Sequence, residues 1–240
     1  MYPDLMNIYG DDGNIICLVK RCQWRGIEAE VDHITIGDKI NPKKYDLYFF
    51  GGGQDQQQTA VSADLKKTNG KLLKVAAKEK AVIFTVCGGY QLLGHYYKPH
   101  TGAKLPGIGL LDIYTIANKK RMIGNIVIET NSELRLKEST IVGFENHSGQ
   151  TFLGHNVKPL GKVLKGHGNN GKDKTEGAFS DRVFGCYLHG SCLPKNPNFA
   201  DLLIEKALMR RYKKVKLEKL DEGIENLAHE SAVRRAFEAK

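Results

Sequence analysis

The first half of the chain alternates between two hydrophobic periods. Leu5 to Tyr9 and Ile27 to Ile34 have the pattern of strands, and Tyr45 to Phe50 and Ala81 to Val86 are apolar runs. Between them, Ile15, Ile16, Leu18, Val19 and Cys22 recur at helical spacing before Gly26, and Leu65 to Lys80 carries a second helical stripe. Strand and helix in alternation predict a parallel sheet covered by helices. Beyond residue 94 the rhythm changes. Short β-type runs at 109–116, 125–130, 140–145, 162–165 and 184–189, separated by turns, predict an antiparallel extension. Phe199, Leu202, Leu203 and Ala207 mark a later helix, and the chain from Lys213 onward reads as charged helix.

Ligands of open α/β sheets gather beyond the carboxyl ends of the strands. Three features fall at such ends: Gly51 to Gly53 after Phe50, Cys87 after Val86, and His189 after the 184–189 run. The stretch Ala81 to Gly94, AVIFTVCGGYQLLG, is the most specific of them. A strand delivers a cysteine onto glycines that open a helix, the pattern of a nucleophile elbow, where following backbone N–H groups stabilise a thiolate and a developing oxyanion. A nucleophilic thiolate needs an imidazole partner, and His189 is the histidine in strand-end context. Cys186 and Cys192 flank it, but a strand before and a loop after would not hold a rigid metal set, and no metal is expected.

Composition narrows the class. At 240 residues with 41% hydrophobic and 26% charged positions, the chain predicts one folded globular core. Five cysteines without a CxxC pair fit reduced thiols, the first twenty residues lack a signal-peptide pattern, and no apolar run reaches membrane-spanning length. A cytosolic location is therefore expected. The formal charge of +9 comes from scattered lysines without a nucleic-acid-binding aromatic motif, so no nucleic acid partner is expected. The densest basic run, Lys206 to Lys219, reads first as a solvated face and second as a docking surface.

The blocks YFFGGGQDQQQ, TVCGGYQLLG, TIVGFENHSGQTFLG, GNNGKDKTEG and FGCYLHGSCLPKNP, in that order, resemble the class I glutamine amidotransferases of the cobyric-acid-synthase-like (CobB/CobQ) type, and within them the glutaminase subunits of lipid II isoglutaminyl synthases. The resemblance implies a flavodoxin-like fold whose central, mostly parallel sheet is flanked by helices and carries an antiparallel β extension. It implies one amidotransferase domain over residues 1–240, with a core at about 5–208 and a charged helical tail at 209–240. It further implies hydrolysis of L-glutamine through a Cys87 thioester, with His189 as acid and then base, and an oxyanion held by backbone N–H groups near Gly52, Gly53 and Gly88. Gln91 would help hold the amino acid end of the substrate. Arg121 would grip its α-carboxylate, and Glu145, Asn146 and His147 would shape the pocket.

The resemblance also implies a division of labour. The chain carries no GxxxxGK[ST] phosphate loop. ATP and Mg²⁺ would sit on a MurT-like, Mur-ligase-type partner in a heterodimer, which would amidate the D-glutamate of lipid II with the ammonia released here, in peptidoglycan biosynthesis. One departure stands out. Most relatives have a glutamate two residues after the histidine, whereas Gly190 and Ser191 follow His189. The orienting carboxylate is then expected from Glu145 or from the partner, with low activity for the chain alone. Two other classes remain open on the residues: a Cys-elbow hydrolase of another substrate, and a non-catalytic regulatory domain.

Overall fold

The computed structural model describes residues 1–239. Its first sheet contains strands β1 (Leu47–Phe50) and β2 (Val82–Val86), followed later in the chain by β9 (Ala178–Ser180) and β10 (Val183–Cys186), in the order β1-β2-β10-β9. The first three neighbours run parallel and β9 is antiparallel. The second sheet contains β3 (Tyr96–Lys98), β4 (Leu105–Pro106), β5 (Ile113–Thr130), β6 (Thr140–Leu153), β7 (Gly161–Lys165) and β8 (Thr175–Glu176). Its path is β4-β3-β5-β7-β8, with β6 paired to β5. A mostly parallel layer with an antiparallel extension is what the change of hydrophobic rhythm predicts.

The central strand β2 is buried at every position, as a parallel strand covered on both faces must be. Phe84 on it packs against Phe49 and Phe199, at ring centroid distances of 5.6 Å and 5.5 Å, and so joins β1 to the covering helix α5 (Pro197–Leu208). Helix α1 (Asp12–Gln23) lies against α5, where Arg21, fully buried, is held by Asp201 at 2.7 Å and Glu222 at 2.5 Å. The sequence predicts a helix over 65–80. The observed one begins ten residues earlier, as α2 (Asp55–Asp64), a single π turn at Leu65–Asn69, and α3 (Gly70–Lys78). Gln57 starts it: its side chain accepts from the Gln54 N–H at 2.9 Å, a capping contact that the low hydrophobicity of residues 54–58 conceals.

Two expected strands are absent. Leu5 to Tyr9 forms only two ladder-like bonds, Gly51 N–H to Met6 O at 3.1 Å and Ile8 N–H to Gly52 O at 3.3 Å. It runs beside the glycines past the end of β1 rather than beside β1 itself. Ile27 to Ile34 forms no strand: burial alternates only from Ile27 to Glu30, Val31 to His33 are exposed, and the segment lines a cavity of about 410 Å³ beside β1. The runs at 109–116 and 125–130 merge into one long strand, β5, with an irregularity between Ala117 and Met122. The charged tail is irregular until a last helix, α6 (Gly223–Glu238), which packs Ala236 on Val127 and Val142. The basic run is only partly solvated. Arg210 donates to the carbonyls of Pro42, Tyr45 and Glu79, and Arg211 pairs with Asp46 at 2.7 Å. Among the described residues, no helix is long and apolar enough to cross a membrane.

Candidate functional site

Strand β2 ends at Val86, opposite Cys186 of β10, and Cys87 follows with φ +51° and ψ −104°. A side-chain-bearing residue held there stores about 1–3 kcal/mol of backbone strain, sustained by the contacts around it. Those contacts are visible. The Cys87 N–H donates to Cys186 O at 2.8 Å, and its carbonyl accepts from Gln91 N–H at 2.9 Å, opening helix α4 (Gly88–Leu93). Gly88 and Gly89 allow this turn to press onto the end of β1. A Cβ on Gly89 would fall 2.7 Å from Phe50 Cβ, and one on Gly88 would fall 2.9 Å from Gly53 N. Two glycine clusters remote in sequence thus meet backbone to backbone.

The N–H groups of Gly53 and Gly88 donate to no acceptor among the described residues, and they are the available oxyanion donors. Gln58, which sequence reasoning missed, donates to the Gly53 carbonyl at 2.9 Å and so holds the peptide that follows the Gly53 N–H. Gly52 departs from its expected role. Its N–H is occupied by Asp11 Oδ2 at 2.6 Å, and its lack of a side chain admits the His189 ring, whose Cε1 lies 2.8 Å from where a Cβ would stand.

His189 is fully buried and fixed by a two-way bridge to β6: its N–H donates to Phe144 O at 2.8 Å and its carbonyl accepts from Phe144 N–H at 3.2 Å. Its Nδ1 faces Asp11 Oδ1 at 3.3 Å, and Asp11 is itself fully buried. Nε2 makes no aligned hydrogen bond among the described residues, which leaves it free to exchange a proton with Cys87 or with substrate. Burial alone would disfavour the imidazolium. The charge of the Cys87 thiolate and the hydrogen bond to Asp11 outweigh it and raise the His189 pKa to about 10.

Within this chain, the carboxylate that faces His189 Nδ1 belongs to Asp11 and not to Glu145. Glu145 points away from His189. Its carboxylate accepts from His167 N–H at 2.7 Å, His167 Nδ1 at 2.8 Å and Gly168 N–H at 2.9 Å. Burial would raise its pKa; the nearby His147 ring and the hydrogen bonds from His167 and Gly168 lower it instead. His147 stacks on Tyr187 with ring centroids 3.5 Å apart, and its Nδ1–H donates to Gly149 O, 2.8 Å away. Burial pushes its pKa down, so it is a neutral wall. Asn146 alternates to the other side of β6, where its carbonyl oxygen accepts from Arg121 Nε at 2.5 Å.

Arg121 sits in the irregularity of β5, which turns its side chain out of the ladder, and its Nη2 also reaches Tyr9 Oη at 3.4 Å. The Tyr9 ring in turn meets the His189 ring edge-on at 5.0 Å. The structure thus brings Arg121 and Asn146 to the side of the catalytic histidine. Gln91 is buried beneath. Its amide donates to Tyr187 Oη at 3.1 Å, while its Oε1 is buried without a partner, an acceptor left open.

Residues 1–197 match the CobB/CobQ-like glutamine amidotransferase domain. The chain is 39% identical to the lipid II isoglutaminyl synthase (glutamine-hydrolyzing) subunit GatD of Staphylococcus aureus, over 99% of this chain and 94% of that protein. It is 39% identical to the subunit of the same name from Streptococcus pneumoniae, over 88% of this chain and 80% of that one. Among solved structures, PurLQS from Thermotoga maritima superposes with a TM-score of 0.58 at 17% identity, covering 87% of this chain and 95% of that chain, a likeness of fold.

Proposed function

Because the chain belongs to the CobB/CobQ-like glutamine amidotransferase family, we propose that it is the glutamine-hydrolysing subunit of a lipid II isoglutaminyl synthase. The observation that carries this reading is the strained Cys87 facing a buried His189–Asp11 pair, in a chain that aligns along nearly its whole length with subunits so named.

In this reading each step has its own group. The Cys87 thiolate attacks the side-chain carboxamide carbon of L-glutamine, and the oxyanion is held by the N–H groups of Gly53 and Gly88. His189 Nε2–H gives its proton to the amide nitrogen as the carbon–nitrogen bond breaks and ammonia leaves. A γ-glutamyl thioester remains on Cys87. Water then loses a proton to Nε2 as it attacks, the carbon–sulfur bond breaks, and glutamate and thiolate are released. Asp11 accepts from Nδ1–H throughout, fixing the tautomer that leaves Nε2 to do the chemistry.

Arg121 receives the α-carboxylate, since a guanidinium matches its two oxygens. Arg121→Ala is expected to raise the KM for glutamine about 10- to 100-fold, the worth of a charged hydrogen-bonded contact, with kcat changed far less. Steady-state glutamate release checks it.

The ammonia is used by a Mur-ligase-type, MurT-like partner that binds ATP and Mg²⁺ and activates the D-glutamate carboxylate of lipid II. The chain has no phosphate-binding loop of its own in support of that division. Co-expression with such a partner, lipid II, ATP and amide-¹⁵N glutamine tests the reading. The label is expected in D-isoglutamine; a partner that uses only free ammonium while this chain is bound would refute it.

A further inference from the structure

Tyr9 has no part in the mechanism above, yet it is the residue that joins the catalytic histidine to the carboxylate-binding arginine. Its backbone has φ +57°, in the left-handed region, followed by Gly10 at φ +78°. A tyrosine has no local hydrogen bond to compensate that conformation, which costs it roughly 1–2 kcal/mol. The reversal has a clear geometric result. Ile8 stays bonded to Gly52, Asp11 turns inward beneath His189, and the Tyr9 side chain is left outside the same imidazole. Ser191 holds the turn by donating its hydroxyl to Gly10 O at 2.5 Å.

The position is unusual for a surface aromatic. Tyr9 is 47% exposed, although one ring edge contacts the fully buried His189 at 5.0 Å and its hydroxyl accepts from Arg121 Nη2 at 3.4 Å. The second hold on Arg121, through Nε, is Asn146. A long, flexible, exposed arginine loses about 2 kcal/mol of rotamer freedom when ordered, and two contacts that pre-order it spare the substrate part of that cost.

We propose that Tyr9 is a positioning residue of the glutamine site: its ring walls the catalytic imidazole, and its hydroxyl aims the Arg121 guanidinium at the α-carboxylate of the substrate. The assignment rests on the glutamine reading above. It makes the Tyr9–Gly10–Asp11 turn a single device, with Asp11 ordering the histidine from below and Tyr9 ordering the arginine from outside. Because Tyr9 acts through Arg121, its effect is confined to ligands that carry an amino acid end.

The test uses two electrophiles on the full chain: a diazo-ketone analogue of glutamine, which has the α-carboxylate, and iodoacetamide, which lacks it. Tyr9→Phe keeps the ring and removes the hydroxyl. It is expected to slow labelling of Cys87 by the diazo-ketone about 3- to 10-fold, the range of one hydrogen bond, and to leave the iodoacetamide rate unchanged. Equal slowing with both reagents, or no change with either, would overturn the proposal. If the unaltered chain takes iodoacetamide at Cys87 but not the diazo-ketone, the glutamine reading itself fails, and the Tyr9 assignment falls with it.

Discussion

Cys87→Ala is expected to reduce glutamine hydrolysis on the order of 10⁴- to 10⁶-fold, the loss seen when the nucleophile of a triad is removed. No neighbouring group can substitute. Cys186 and Cys192 are completely buried in the sheet and the following loop, and burial holds the Cys186 thiol well above its ordinary pKa. Folding should survive the change, since alanine keeps a Cβ in the strained position and Gly88, Gly89 and the Cys186 carbonyl continue to fix the turn. Glutamate release together with the thermal midpoint checks both halves: activity lost with the midpoint retained is the expected pair.

Asp11→Asn has the second largest expected effect, a fall in kcat of about 10²- to 10⁴-fold. The asparagine oxygen can keep the Gly52 N–H, which places its amide nitrogen toward His189 Nδ1. The histidine then faces a donor in place of an acceptor, and the tautomer needed for proton transfer at Nε2 is disfavoured. The pH profile supplies a sign. His189 is protonated up to about pH 10 because the Cys87 charge and Asp11 favour its cation against burial. Activity should therefore fall on the alkaline side as pH rises through that value. Removing the Asp11 charge lowers the His189 pKa, so the alkaline limb must move toward lower pH. A variant with reduced kcat and an unmoved limb would mean that Asp11 supports the fold alone.

The strands that place the nucleophile and the imidazole were legible because both are buried apolar runs with chemistry at their ends. Cys87 and His189 follow from that pattern, and the antiparallel half follows from the shorter β-type segments. Asp11 was hidden for a physical reason: it is 178 residues from its partner and sits in a GDDG sequence that reads as a simple turn. Its signal was positional, since the segment before it ends at the same edge as the triple glycine. With no acid two residues after His189, the sequence offers Glu145 as a source, but its carboxylate is engaged by loop contacts from His167 and Gly168 that no periodicity reveals. Residues 5–9 and 27–34 have strand-like sequence patterns but join no strand ladder. Pattern gives the face of a strand and not its partner.

An orienting carboxylate carried by this chain itself would change what is expected of it alone. A site completed only by another subunit would be silent in isolation. With Asp11 as the orienting acid, Cys87, His189 and Asp11 would form the whole catalytic set on one polypeptide, and the proposed synthetase partner would contribute the fate of the ammonia rather than its release. The most direct measurement is the turnover of L-glutamine by the purified chain without any partner. Glutamate and ammonia formed in equal amounts, abolished by Cys87→Ala and reduced by Asp11→Asn, is the predicted result. A chain that is folded yet inert, and that hydrolyses glutamine only when a synthetase subunit is added, would contradict it.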